Sequence, residues 1–79
     1  MYAVYIIKSL NNEWYYVGFT SNLNQRIKRH NNGRVKSTKH YKPFKLVYKN
    51  IVDTRTEARK LEKYLKVGSN KEKIIRDLK

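Results

Sequence analysis

The chain has 79 residues, room for one small core, so we expect a single domain over residues 1–79. It has no cysteine, which excludes disulfides and thiolate zinc sites and leaves the redox compartment open, with the cytoplasm favoured. The 19 Lys and Arg residues outnumber the 6 Asp and Glu residues and give a net charge of +13, which indicates a polyanionic partner.

The positive charges are spread from Lys8 to Lys79, as in a structured basic surface rather than a disordered basic tail. No predicted helix joins a Lys-rich side to a broad apolar side, and no apolar run reaches the ~20 residues of a membrane span. We therefore expect a nucleic acid partner, DNA or RNA, and no membrane association.

The chain begins with a predicted β-hairpin. Residues 1–8 and 14–20 are rich in β-branched and aromatic types, and the segment between them contains the turn-forming pair Asn11-Asn12. Side chains alternate between the faces of a sheet, so two phenols fall on one face. The two sets that share a face are Ala3, Tyr5 and Ile7, and Trp14, Tyr16 and Gly18.

Cap and turn signals bound the next elements. A short helix begins at Thr20 or Ser21 and ends at Gly33, which is placed to take the left-handed conformation of a helix terminus. Residues 34–43 are polar, basic and closed by the only proline, which predicts an exposed loop. Residues 44–52 alternate as a half-buried third strand.

The final part of the chain completes the predicted order ββαβαα, an α+β fold. In the third strand, the residues predicted to face the core are Phe44, Leu46 and Tyr48. Asp53 or Thr54 caps a helix that ends near Gly68. Ser69 and Asn70 precede a short terminal helix. Its predicted apolar stripe consists of Ile74, Ile75 and Leu78.

Two helices carry ionisable groups on their apolar faces. A helix turns by about 100° per residue, so Arg26 and His30 share a face with the aliphatic residues of the first helix. In the second long helix, Glu62 falls on the stripe of Ala58 and Leu65. Since a buried charge without a partner costs several kcal/mol, Glu62 must be paired, metal-bound or placed in a wet cleft.

Each of these polar residues, taken singly, is more often structural than functional. Together they suit phosphodiester hydrolysis, because an acid can hold a divalent metal and a guanidinium can stabilise the charge that grows on a phosphate. A phenol and an imidazole can position or deprotonate water. The candidate catalytic residues are Tyr5, Tyr16, Arg26, His30 and Glu62, and the candidate metal ligand is Glu62.

At these positions the sequence resembles the GIY-YIG nuclease superfamily, in particular its small stand-alone bacterial members. The two signature motifs correspond to Ala3-Val4-Tyr5, where an alanine replaces the first glycine, and to Tyr16-Val17-Gly18. The family arginine falls on Arg26, His30 follows four residues later, and the metal-binding glutamate corresponds to Glu62. Many members also carry a polar residue after this glutamate, for which Asn70 is a loose candidate.

The resemblance implies an α/β sandwich around a three-stranded antiparallel sheet, and a metal-dependent endonuclease that hydrolyses DNA. It assigns Mg²⁺ or Mn²⁺ to Glu62, the scissile phosphate to Arg26, and the attacking water to Tyr5 or Tyr16. His30 would assist proton transfer or grip a phosphate oxygen. A role in DNA repair or recombination fits this class of nuclease.

The remaining basic residues are expected to follow the nucleic acid backbone without reading bases. The candidate contacts are Lys28, Arg29, Arg34, Lys36, Lys39, Tyr41, Lys42 and Lys45. Of these, Tyr41 can either stack on an unpaired base or cover the core. Because this short chain offers little surface for reading a long site, we expect structure-selective or weakly specific action, by a monomer or weak dimer.

Two hypotheses from other functional classes stay open. The first is a non-catalytic DNA- or RNA-binding module that keeps the fold and the basic surface. The second is a basic protein-interaction domain, which would show no salt-dependent affinity for nucleic acid.

Overall fold

A computed structural model of the protein describes residues 1–78, with side chains through residue 77. The predicted order ββαβαα is confirmed, with one turn of 3₁₀ helix added in the loop at Lys39–Tyr41. The main elements are β1 (Tyr2–Ser9), β2 (Tyr15–Thr20), α1 (Leu23–Asn31), β3 (Phe44–Val52), α2 (Arg55–Lys66) and α3 (Gly68–Leu78). The predicted core contact of Leu78 lies outside the side chains described.

The strands form one antiparallel sheet in the order β2-β1-β3, which confirms the α+β class. The central strand β1 is almost wholly buried because both of its faces are covered. Its even-numbered residues Val4 and Ile6 pack with α2, whereas Tyr5 and Ile7 pack on the opposite face with α1. The register places Tyr5 opposite Gly18 of β2.

Strand β3 departs from simple alternation at one residue. The pairing shifts between Ile6, which lies opposite Tyr48, and Ile7, which lies opposite Leu46, so Val47 is an extra residue. A bulge of this kind changes the face on which the following residues lie. The prediction of a common buried face for Phe44, Leu46 and Tyr48 was therefore wrong. Phe44 packs with Tyr5, Tyr48 packs with the core on the opposite face, and Leu46 is exposed.

The start of α1 also differs from the prediction by a residue or two. Asn22 is the N-cap, since its side-chain oxygen accepts a hydrogen bond from the Gln25 amide at 3.2 Å. The expected cap Thr20 instead accepts from the Asn22 amide at 3.1 Å and fixes the entry to the helix. Gly33 has φ of +74° and takes the left-handed conformation, as predicted.

The α2–α3 pair is joined at a single extended residue. Thr54 caps α2 as predicted, accepting from the Glu57 amide at 3.2 Å. Helix α2 ends before Val67, and α3 starts at Gly68, earlier than the predicted Ser-Asn start. Asn70 donates from its side chain to the Tyr64 carbonyl at 2.9 Å, so it ties the two helices together. Within residues 1–78, no helix has the length and apolar character needed to cross a membrane.

Candidate active site

A hydrogen bond between a strand phenol and a helix imidazole forms the centre of the candidate site. The Tyr5 hydroxyl lies 2.8 Å from His30 Nε2, and both side chains are fully buried. Tyr5 faces α1 because it is an odd-numbered residue of β1, and His30 faces the sheet because it follows Leu23 and Ile27 around the same helix face. The predicted inward orientation of His30 is therefore confirmed.

Burial changes the proton affinity of both partners in the direction that keeps them neutral. Burial, with a smaller effect of the Arg26 charge, lowers the pKa of His30 to about 4. Burial also raises the pKa of Tyr5 well above its usual value, and the nearby Tyr16 phenol raises it further. Arg26 opposes this rise, and Glu62 adds a small increase. At neutral pH the pair therefore consists of a phenol and an uncharged imidazole.

The second phenol, Tyr16, covers this pair from β2. Its ring centroid lies 6.3 Å from that of Tyr5 and 5.2 Å from that of His30, and its side chain is half-buried. Gly18 makes this arrangement possible: a Cβ there would lie 2.7 Å from the Tyr5 hydroxyl and 2.9 Å from the Tyr16 ring. Any side chain at position 18 would therefore displace one of the two phenols.

Arg26 lies on the same helix as His30, one turn before it, and is half-buried as predicted. Its guanidinium lowers the pKa of both Tyr5 and His30, so its positive charge lies within electrostatic reach of both. Such a charge next to a phenol and an imidazole favours binding of an anion such as a phosphate group.

Glu62 approaches from α2, the helix on the opposite side of the sheet. Its side chain is 18% exposed, and its carboxylate lies 3.5 Å from Lys66 Nζ, one helical turn further along. Its charge makes a small contribution to the raised pKa of Tyr5. Of the alternatives that the sequence left open for this carboxylate, the structure shows an ion pair at a partly open position.

A divalent metal would have one protein ligand here. Within the described residues, no group of three or more His, Cys, Asp or Glu side chains could hold a metal. A single carboxylate still fits Mg²⁺, which keeps most of its waters and commonly uses one or two carboxylates together with substrate phosphates. Lys66 is exposed and flexible enough to release Glu62.

Tyr41, one of the candidate nucleic-acid contacts, packs against the core. Its ring stacks on Trp14 with centroids 4.0 Å apart and planes 7° apart, and its carbonyl accepts from the buried Ser9 hydroxyl at 2.6 Å. These contacts join the basic loop to the end of β1. Stacking of Tyr41 on a base stays a prediction, and it would have to use the face of the ring that Trp14 does not cover.

The other candidate nucleic-acid contacts are exposed and could meet a phosphate backbone. These residues are Lys28, Arg29, Arg34, Lys36, Lys39, Lys42 and Lys45. His40 is also exposed. Asn70, in the first turn of α3, donates to the Tyr64 carbonyl of α2 and not to a residue of the phenol–imidazole cluster.

Two residues that organise the site were not found from the sequence. Thr38 is fully buried, and its hydroxyl lies 2.8 Å from His30 Nδ1. Asn31 accepts a hydrogen bond from the Phe44 amide at 2.6 Å and so joins the end of α1 to β3. Thr38 comes from an irregular loop, where no periodicity marks an inward side chain, whereas Asn31 follows Ile27 by four residues on α1, a spacing that could have indicated it.

This geometry agrees with the comparison with known proteins. The GIY-YIG catalytic domain model matches residues 1–74, and the chain belongs to this nuclease family. The chain is 37% identical over 72 residues to the UPF0213 protein YazA of Bacillus subtilis, covering 90% of this chain and 72% of that protein. It is 41% identical over 75 residues to the UPF0213 protein CPE1444 of Clostridium perfringens, covering 94% and 80%.

A solved structure has the same fold. The solution NMR structure of the UPF0213 protein BH0048 from Bacillus halodurans aligns with a TM-score of 0.59 and 29% identity. The alignment covers 95% of this chain and 82% of that one. The expected membership of the GIY-YIG superfamily and the expected fold are thus both confirmed.

Proposed function

We propose that this protein is a metal-dependent endonuclease that hydrolyses phosphodiester bonds in DNA, with structure-selective or weakly specific action. The observation that carries this proposal is the 2.8 Å hydrogen bond between the Tyr5 phenol and His30 Nε2, within electrostatic reach of Arg26. A chain that needed only a basic surface would not require a buried phenol–imidazole pair, because apolar side chains fill such a position without polar atoms that each need a partner.

Each residue of the candidate site has a separate role in the proposed hydrolysis. Arg26 binds the scissile phosphate and offsets the negative charge that grows in the transition state. Tyr16 is the more exposed phenol and therefore meets water or phosphate first, while Tyr5 lies behind it. Both members of the Tyr5–His30 pair are neutral at pH 7 and fully buried, so Tyr16 is the phenol whose oxygen orients the attacking water, and the pair supports the Tyr16 ring from behind.

Glu62 is the residue that would hold the divalent ion, in exchange for its ion pair with Lys66. When bound, Mg²⁺ or Mn²⁺ supplies positive charge to the phosphate oxygens and lowers the pKa of a coordinated water. The exposed cations of α1 and of the loop over 33–43 bind the backbone on either side of the cleavage point. RNA stays a second possible substrate, because these cations recognise phosphates rather than sugars.

The proposal predicts nicking of supercoiled plasmid or branched DNA in the presence of Mg²⁺ or Mn²⁺. Chelation should abolish cleavage, and Glu62→Gln and Arg26→Ala should each reduce its rate on the order of 100-fold or more, as expected for groups that act on transition-state charge. The cleavage rates of the parent chain and of each variant are measured under single-turnover conditions, with the nicked product separated on a gel.

Matched controls lie on the same helix as Glu62. Glu57→Gln and Lys60→Ala change exposed charges on the face of α2 opposite Glu62 and should leave the rate close to that of the parent chain. Cleavage that persists with chelator and in both site variants would exclude the proposed mechanism.

Two observations favour a second candidate, a non-catalytic nucleic-acid-binding module. The Tyr5 phenol has no exposed surface, and the Glu62 carboxylate is already paired with Lys66. This candidate predicts DNA binding that weakens steeply with salt, is unchanged by Glu62→Gln, and leads to no cleavage.

A further inference from the structure

Thr38 is a buried loop residue whose hydroxyl bridges the imidazole of His30 and the protein backbone. Its oxygen lies 2.8 Å from His30 Nδ1 and 3.3 Å from the Val35 carbonyl oxygen. A carbonyl only accepts hydrogen bonds, so this longer contact favours a hydroxyl hydrogen directed to Val35, whose carbonyl also accepts from the Thr38 and Lys39 amides. In that orientation the hydroxyl oxygen accepts from His30, and Nδ1 carries the hydrogen.

The other end of the imidazole favours the same tautomer. Within the described residues, the only hydrogen-bond partner of the buried Tyr5 hydroxyl is His30 Nε2, at 2.8 Å. If Nε2 carried a hydrogen, it would donate to the Tyr5 oxygen, and the phenol hydrogen would be left without an acceptor in a buried position. If Nε2 carries no hydrogen, the Tyr5 hydroxyl donates to it, Nδ1–H donates to Thr38, and the Thr38 hydroxyl donates to the Val35 carbonyl. Each of these hydrogens then has an acceptor.

We propose that Thr38 is a positioning residue that holds His30 as the Nδ1–H tautomer and thereby sets the direction of the Tyr5 hydroxyl. The Tyr5 hydrogen is committed to His30 Nε2, which fixes the buried pair behind Tyr16, the half-buried phenol that meets the attacking water. The catalytic part of this inference rests on the proposed nuclease function. The assignment of the tautomer does not depend on that function.

The test reads the tautomer directly, by long-range ¹H–¹⁵N correlation NMR of the uniformly ¹⁵N-labelled full chain at pH 7. The expected spectrum of the parent chain shows a protonated Nδ1 and a bare Nε2 for His30. Thr38→Ser keeps the hydroxyl and should keep this pattern, whereas Thr38→Val keeps the volume and should move His30 towards the Nε2–H form. Thr54→Val, which removes an exposed cap hydroxyl, is the control and should leave the pattern unchanged.

An Nε2–H tautomer in the parent chain, or an unchanged tautomer in folded Thr38→Val, would overturn the proposal. The spectrum of the parent chain tests the tautomer of His30 even if Thr38→Val fails to fold. In a chain that cleaves DNA, Thr38→Val should lower kcat by up to about 100-fold with little change in KM, and Thr38→Ser should restore it. A parent chain that shows the Nδ1–H form but no cleavage would instead sink the proposed function while leaving the tautomer assignment intact.

Discussion

At the scale of single residues, the candidate site is built from polar atoms that satisfy one another out of contact with water. Within the described part of the chain, no buried side-chain nitrogen or oxygen lacks a hydrogen-bond partner. His30 is central to this result because its two ring nitrogens meet Tyr5 and Thr38, while Phe44 and Tyr16 pack around its ring. A neutral imidazole fits this environment. In an imidazolium, Nε2 could no longer accept from the Tyr5 hydroxyl, and a positive charge would be buried.

This environment predicts a loss of stability in mild acid. The unfolded chain protonates His30 near its usual pKa of 6.5, but the folded chain does so only near 4. Between these values the unfolded state binds more protons, so the stabilisation is complete above pH 6.5 and falls as the pH drops towards 4. The shift corresponds to roughly 3 kcal/mol in the free energy of unfolding.

Urea unfolding of the parent chain, His30→Gln and His40→Gln at pH 7 and pH 4 measures this loss. His30→Gln should be less stable at pH 7 but should lose less stability on acidification. The exposed His40→Gln variant should behave like the parent chain. Equal acid losses in the parent chain and His30→Gln would contradict the assignment of a buried neutral imidazole.

At the scale of elements, the site depends on how α1 is fixed against the sheet. Asn31, the last residue of α1, accepts from the Phe44 amide at 2.6 Å, at the point where β3 begins. Gly33 then turns the chain with its positive φ, and the loop returns over the end of β1. This connection between α1 and β3 holds His30 over Tyr5.

Asn31→Ala should therefore destabilise the fold by about 1–3 kcal/mol, because the buried Phe44 amide would lose its acceptor. Asn32→Ala, at the neighbouring exposed C-cap position, is the control and should cost clearly less. Chemical denaturation of both variants at pH 7 measures the difference. Equal losses would show that the Asn31–Phe44 bond is not what fixes the helix.

The elements also show where sequence reasoning succeeds and where it stops. Strand and helix periodicity place Tyr5, Tyr16 and His30 correctly, because those positions follow from repeats of 2.0 and 3.6 residues. The bulge at Val47 was missed because a change of register depends on pairing between strands, which the alternation of one strand does not encode. Thr38 was missed because it reaches His30 from an irregular loop.

At the scale of the whole molecule, size and charge limit what the protein can recognise. The chain measures 30 × 26 × 18 Å, so its longest dimension is shorter than one turn of B-DNA, about 34 Å. Its net charge of +13 favours the phosphate backbone over the bases. A small basic domain of this kind suits the recognition of a local backbone geometry more than the reading of a long sequence.

The central claim is that Glu62 completes a nuclease site with Tyr5, Tyr16, Arg26 and His30. The most direct measurement is the anomalous signal of Mn²⁺ in crystals of the full chain and of Glu62→Gln. We expect one Mn²⁺ ion on the Glu62 carboxylate, with Lys66 displaced and the ion facing the phenols and Arg26, and no ion in the Glu62→Gln crystals. Mn²⁺ bound only at other acids, with the Glu62–Lys66 pair intact, would contradict it.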